Sequence, residues 1–163
     1  MRSSILLLPL VLLASGFILL SPAVHKDKID ADVDYLVDLY KSIHQQPELS
    51  LQEKETSKKL AGELRKVGFE VTENFGGYGI VGILENGEGP TILYRTDMDG
   101  LPMYEKTGLP YASKVEVPYN GTMVGTTHSC GHDMHMTNWV GTARYMSEVK
   151  DQWKGTLMFV GEN

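Results

Sequence analysis

The stretch "HSCGHDMH", residues 128–135, sets three histidines, the chain's only cysteine and an aspartate into eight positions. Thiolate and imidazole together suit zinc or another first-row divalent ion, and a thiol beside an imidazole is also a nucleophile with its base. Cys130 and His132 are two residues apart. On a helix they would diverge by about 200°, whereas in an extended segment they point the same way, so the spacing puts the pair on the approach to a helix. Gly131 removes a side chain where backbone would come close to an ion, and the helix start just beyond favours a thiolate. Taken singly, a lone cysteine is more often buried and inert, and one histidine near a helix start is more often a cap or a surface residue. Thiol chemistry usually brings in its base from a distant part of the sequence.

A second cluster, "YRTDMDG", places Asp97 and Asp99 after an expected strand. Strand ends are where α/β folds build sites, and carboxylates there can ligate a metal or orient a ligand. A solvated strand end with an Asp turn accounts for them equally well.

Elements must bring these clusters together. Val33, Leu36, Val37, Tyr40 and Ile43 fall at helical spacing, with aspartates expected in the first turn and Pro47 as the stop. A second helix is expected over 52–67, closed by Gly68, before a strand begins at "FEV". The apolar runs Ile80–Leu84 and Thr91–Tyr94, joined by Asn86-Gly87-Glu88-Gly89, read as an antiparallel hairpin. Residues 100–131 lack periodicity and read as one long functional loop, in which Asn120-Gly121-Thr122 fits a glycosylation sequon but is better explained as a turn. A buried helix over 134–149, with Asp133 at its cap, and the apolar strand "GTLMFVG" complete an α/β order of helices packed on a mixed sheet.

At 42% hydrophobic and 22% charged, the chain has ordinary globular composition, which excludes disorder. Arg2, the uncharged run Ile5–Leu20 and Ser21-Pro22-Ala23 read as a signal peptide over 1–23, against the alternative of a retained anchor. Its removal takes one basic residue and no acid, leaving 14 basic residues against 21 acidic, a poor surface for nucleic acid. The expectation is a soluble secreted or periplasmic protein with no stable membrane association. Its single cysteine has no intramolecular partner.

The segments "IHQQPELSLQE", "YRTDMDGLPMYEKTGLPYAS", "HSCGHDMHM" and "WKGTLMFVG" follow one another across nearly the whole mature chain. Together they resemble the amidohydrolase branch of the M20 metallopeptidase family, which includes hippurate hydrolase, N-acyl-amino-acid deacylases and plant auxin-conjugate hydrolases. The resemblance implies that Cys130 and His132 bind metal in a two-ion site of manganese, zinc or nickel. It implies that Asp97, the first aspartate of "DMD", is the active-site acid that orients a ligand imidazole. Asp133 and His135 match motif positions without being implied as ligands. The implied reaction cleaves a small N-acyl amino acid to a carboxylic acid and an amino acid, with a glutamate carrying the proton.

The family pattern continues after "GTLMFVG" with a Gln-Pro-Ala-Glu-Glu segment that holds that glutamate and a further ligand. Here Gly161-Glu162-Asn163 follows, and Glu162 stands where the glutamine would be, so it is not assigned as the base. The expectation is a partial catalytic domain over 24–163, lacking the lid and dimerisation domain, inactive alone and a weak metal binder. The resemblance leaves a homodimer open for the full-length protein. A noncatalytic binding module of the same fold and a thiol hydrolase are the alternatives.

Overall fold

A computed structural model describes residues 22–163, with side chains from His25 onward. The expected signal segment lies outside the described residues except for its last two positions, where helix α1 (Pro22–His44) begins. That helix starts upstream of the aspartates expected to open it, and its first turn carries no acid. Leu39 and Ile43 on its inner face are buried. Helix α2 (Lys54–Lys66) buries Leu60, Ala61 and Leu64, and Gly68 ends it at a left-handed φ of 88°. Among the described residues no helix is long and apolar enough to cross a membrane.

Strands β1 (Glu70–Phe75), β2 (Gly79–Asn86) and β3 (Thr91–Asp97) precede a small hairpin of β4 (Glu116–Tyr119) and β5 (Thr122–Gly125). Helix α3 (His132–Glu148) and strand β6 (Gly155–Glu162) follow. The main sheet has the order β1-β2-β6-β3. Alternation decides its faces: Ile80, Leu84, Leu157 and Phe159 point into the core against α2 and α3. Phe159 is the hub, with the rings of Phe69, Trp139 and Tyr94 centred 5.0, 5.2 and 5.5 Å away. Burying a side chain of this size contributes about 1.5–3 kcal/mol. On the other face Val81, Ile83, Met158 and Val160 are only partly buried, and Leu93 is exposed.

The expected hairpin between β2 and β3 does not form. Strand β6 lies between them, antiparallel to β2 and parallel to β3. The Asn86–Pro90 connection is opened by that insertion: the Asn86 amide donates to the carbonyls of Lys150 and Trp153 at 2.6 Å each, and Thr156 N–H donates to Pro90 O at 3.0 Å. The turn residues are those of a hairpin, but burial of Leu157 and Phe159 chose the partner strand. Residues 100–131 are likewise not one structureless loop. Asn120 (φ 49°) and Gly121 (φ 81°) form the tight turn between β4 and β5, both positive in φ as a right-twisted two-residue hairpin requires.

Candidate metal centre

Three separated segments are stitched together by backbone bonds beneath the site. Gly100 N–H donates to Glu48 O at 2.6 Å, while Leu101 and Thr127 exchange bonds of 2.8 and 3.1 Å. Thr126 Oγ1 donates to the Pro47 carbonyl at 3.1 Å, in a buried position. The Glu48 carboxylate accepts the N–H groups of Glu55 and Thr56, satisfying free donors at the start of α2. The motif "PELSLQE" thus serves as a brace: it fixes where the "DMDG" and "THSCGHD" segments meet.

The structure corrects the local picture of the cysteine pair. Helix α3 starts at His132 instead of Met134, so the histidine lies inside the first turn and the cysteine outside it. Gly131 stands at the cap position with φ 84°, and a Cβ there would meet nothing within 4 Å. That left-handed conformation, which glycine adopts without strain, folds the chain back. Cys130 Sγ then comes within 3.7 Å of His132 Nδ1 although the two are not on one extended strand. Asp133 is no side-chain cap of the helix. Its Oδ1 accepts the neighbouring Met134 N–H at 2.8 Å and its Oδ2 faces His44.

Both aspartates of "DMD" reach His132. Asp97 Oδ2 lies 3.7 Å from Nε2, and Asp99 contacts the opposite edge, with Oδ1 2.9 Å and its carbonyl 3.0 Å from Nδ1. Asp97, chosen from the sequence, also accepts Arg95 Nη1 at 2.6 Å, and the same nitrogen binds Glu162 at 2.6 Å. Asp99 makes the closer contact to the imidazole. No spacing rule separates the two, because β3 ends at Asp97 and the turn geometry beyond it decides where Asp99 points. His135 is exposed, its ring centred 6.0 Å from that of His132.

Cys130 is exposed, and partial desolvation together with the Asp99 carboxylate pushes its thiol up, against the pull of the local backbone N–H groups. The helix start does not win here, and a free thiolate nucleophile is disfavoured. The donor set still suits a metal. Two donors on one tetrahedral zinc, about 2.3 and about 2.0–2.1 Å from the ion, stand roughly 3.6 Å apart, close to the 3.7 Å seen between Sγ and Nδ1. An ion at Nδ1 would replace the Asp99 contact, whereas an ion at Nε2 would leave Asp99 as the group that orients the ring. Among the described residues no three His, Cys, Asp or Glu side chains form a ready-made metal cage.

Behind this edge lie polar groups that the sequence reading did not single out. His44, at the end of α1, bonds the Asp133 carboxylate through Nδ1 at 2.7 Å and Glu105 Oε1 through Nε2 at 3.1 Å. Glu53 is wholly buried with neither carboxylate oxygen in a well-formed hydrogen bond, and burial raises its pKa, with backbone N–H groups offsetting part of the effect and the Asp99 charge adding to it. His128 is also buried, and neither ring nitrogen has a hydrogen bond of normal geometry. The only available sign of these residues was their place inside the quoted motifs.

Residues 93–162, which span β3, the acid cluster, the cysteine pair and β6, match the family model described as "Peptidase family M20/M25/M40". The chain belongs to this family. Among M20 relatives, it is 37% identical over 127 residues to the N-acetylcysteine deacetylase of Bacillus subtilis, covering 77% of this chain and 31% of that one. It is 34% identical over 127 residues to the IAA-amino acid hydrolase ILR1-like 5 of Arabidopsis thaliana, covering 78% of this chain and 27% of the relative. A solved Bacillus subtilis structure, described as a dinuclear metal binding peptidase from the M20 family, superposes with a TM-score of 0.71 at 35% identity. That match covers 81% of this chain and 35% of the other. The chain thus spans about a third of the length of the M20 proteins it resembles.

Proposed function

We propose that this chain is the part of a secreted, metal-dependent M20 amidohydrolase that carries the Cys130–His132 metal ligands, and that the enzyme releases an amino acid from small N-acyl amino acids. The observation that carries the reading is the approach of Cys130 Sγ, Asp97 and Asp99 to the two edges of one imidazole at the end of a parallel strand. The names of the deacetylase and the auxin-conjugate hydrolase support the substrate class, and the dinuclear relative supports two ions. Export is supported by Arg2 and the uncharged run that follows it.

Within this reading Cys130 and His132 hold the ion. A bound divalent cation supplies Lewis acidity and acidifies water at neutral pH. With an ion shared between Cys130 Sγ and His132 Nδ1 in place of the Asp99 contact, Asp97 beside Nε2 would accept the ring proton and orient the imidazole. Arg95, two residues earlier on the same strand, holds Asp97 in place. Cys130 and His132 are fewer than the three or four ligands of a catalytic or closed site, so residues 24–163 alone bind metal weakly and turn over no substrate.

The test is amino acid release from a panel of N-acetyl and N-aroyl amino acids by the full-length protein. Activity should vanish with chelator and return with added zinc or manganese. Turnover that survives chelation but not alkylation would establish the thiol hydrolase instead. A metal-loaded protein that cleaves nothing on the panel would establish the noncatalytic module.

A further inference from the structure

We propose that His44 is a positioning residue for the metal-binding turn, acting through Asp133 to fix the first turn of α3, on which His132 is mounted. This rests on the metal reading of Cys130 and His132.

The first turn of α3 needs such a hold. It has no side-chain cap, and it follows a left-handed glycine whose neighbourhood is open. The residue directly after the ligand histidine is Asp133, whose carboxylate is fully used: Oδ1 takes the Met134 N–H and Oδ2 takes His44 Nδ1 at 2.7 Å. His44 is in turn held from its other side by Glu105 at 3.1 Å. Glu105 itself gathers its own loop, accepting from Thr107 Oγ1 and from Ser113 N–H at 2.6 Å. One imidazole therefore ties the end of α1, the loop after the "DMDG" turn and the head of α3 to a single point.

The tie is dry and stiff. His44 and Asp133 are buried, and the rings of Tyr40 and Tyr111 stand 5.5 and 5.4 Å from the His44 ring. Such bonds are strengthened in a low-dielectric setting, and every polar atom of the imidazole and of the Asp133 carboxylate has a partner. Outer partners of this kind, which orient a ligand without touching the metal, typically carry a tenfold to hundredfold share of metal affinity. The same group also explains why a histidine ends α1 ahead of "QQPELS", a motif position the cleavage chemistry does not use.

The two ring nitrogens can be tested separately in the full-length protein. An asparagine amide reaches about as far as Nδ1, and a glutamine amide about as far as Nε2. His44→Asn should keep the Asp133 bond, and His44→Gln should lose it. Zinc affinity, measured by competition with a chromophoric chelator, should fall about 10–100-fold in His44→Gln and stay within about threefold of wild type in His44→Asn. The thiolate-to-cobalt charge-transfer band of the cobalt-loaded protein should change in the first variant only. Glu105→Gln, which leaves the Asp133 bond in place, should lower stability with little change in either metal readout. Equal affinity and equal cobalt spectra in both His44 variants would overturn the proposal, as would failure of both to fold, which would make the role purely structural. A Cys130→Ser control separates the two ideas: unchanged zinc affinity there would sink the metal reading itself.

Discussion

Two buried histidines beside the head of α3 have opposite surroundings. His44 has a carboxylate on each ring nitrogen, whereas His128 has a partner on neither. The pKa of each responds in kind. For His44, burial works against the charged ring but Asp133 and Glu105 overcome it and the pKa rises; for His128 burial dominates and the pKa falls. Both sit in protein interior, so burial alone does not set the sign. The acceptors brought to the ring do: Asp133 and Glu105 reach His44 from two segments, whereas at His128 the Asp133 charge and the Asp99 backbone do not outweigh burial.

The largest expected effect comes from breaking the satisfied cluster. His44→Ala leaves Asp133 and Glu105 buried without their shared partner and should cost about 3–5 kcal/mol in urea unfolding. Because the folded pKa of His44 is raised, its contribution is fully present below the unfolded value near 6.5 and is lost as pH rises through the folded value. The penalty of His44→Ala should therefore shrink on going from mildly acidic to alkaline buffer. A penalty independent of pH would mean that the ring is held neutral.

The unsatisfied side should respond with the opposite sign. Glu53 has a raised pKa, so its charge costs stability once the pH exceeds the unfolded carboxylate value. Glu53→Gln should raise stability at pH 7 by about 1 kcal/mol, since it removes a buried charge without changing shape. That gain should disappear below about pH 4, where the unfolded-state carboxyl is itself protonated. A loss at pH 7 would show that the carboxylate is in fact partnered. The smallest effect is expected at His128: replacing an unbonded buried imidazole by leucine should leave thermal unfolding within about 1 kcal/mol of wild type. A loss of several kcal/mol would reveal an ordered water or ion on the ring.

How much of this could be read in advance depended on whether the cause was local. The three helices and the end of α2 at Gly68 follow from spacing and glycine chemistry, which act over a few residues. The sheet order does not: the Asn86–Gly89 turn signal is real, yet a strand from the other end of the chain enters between β2 and β3 because Leu157 and Phe159 fill the core there. The four-residue strands β4 and β5 were hidden for another reason, since Pro118 interrupts the pattern and only the Asn120-Gly121 turn marked them. At the site, the nearness of Cys130 and His132 was legible, but the means differed. A left-handed glycine at the helix start replaced the extended segment. Local spacing neither ranks Asp97 against Asp99, a choice that came from the family resemblance, nor joins His44 to Asp133, because contacts between segments 33 and 89 residues apart leave no trace in it.

The most direct check of the metal assignment is X-ray absorption at the zinc edge of the zinc-loaded full-length protein. A sulfur shell at about 2.3 Å, averaged over the ions bound, beside nitrogen and oxygen neighbours at about 2.0–2.2 Å is the expected coordination. That sulfur signal should vanish in Cys130→Ser. A wild-type spectrum with only nitrogen and oxygen around the ion would contradict the account.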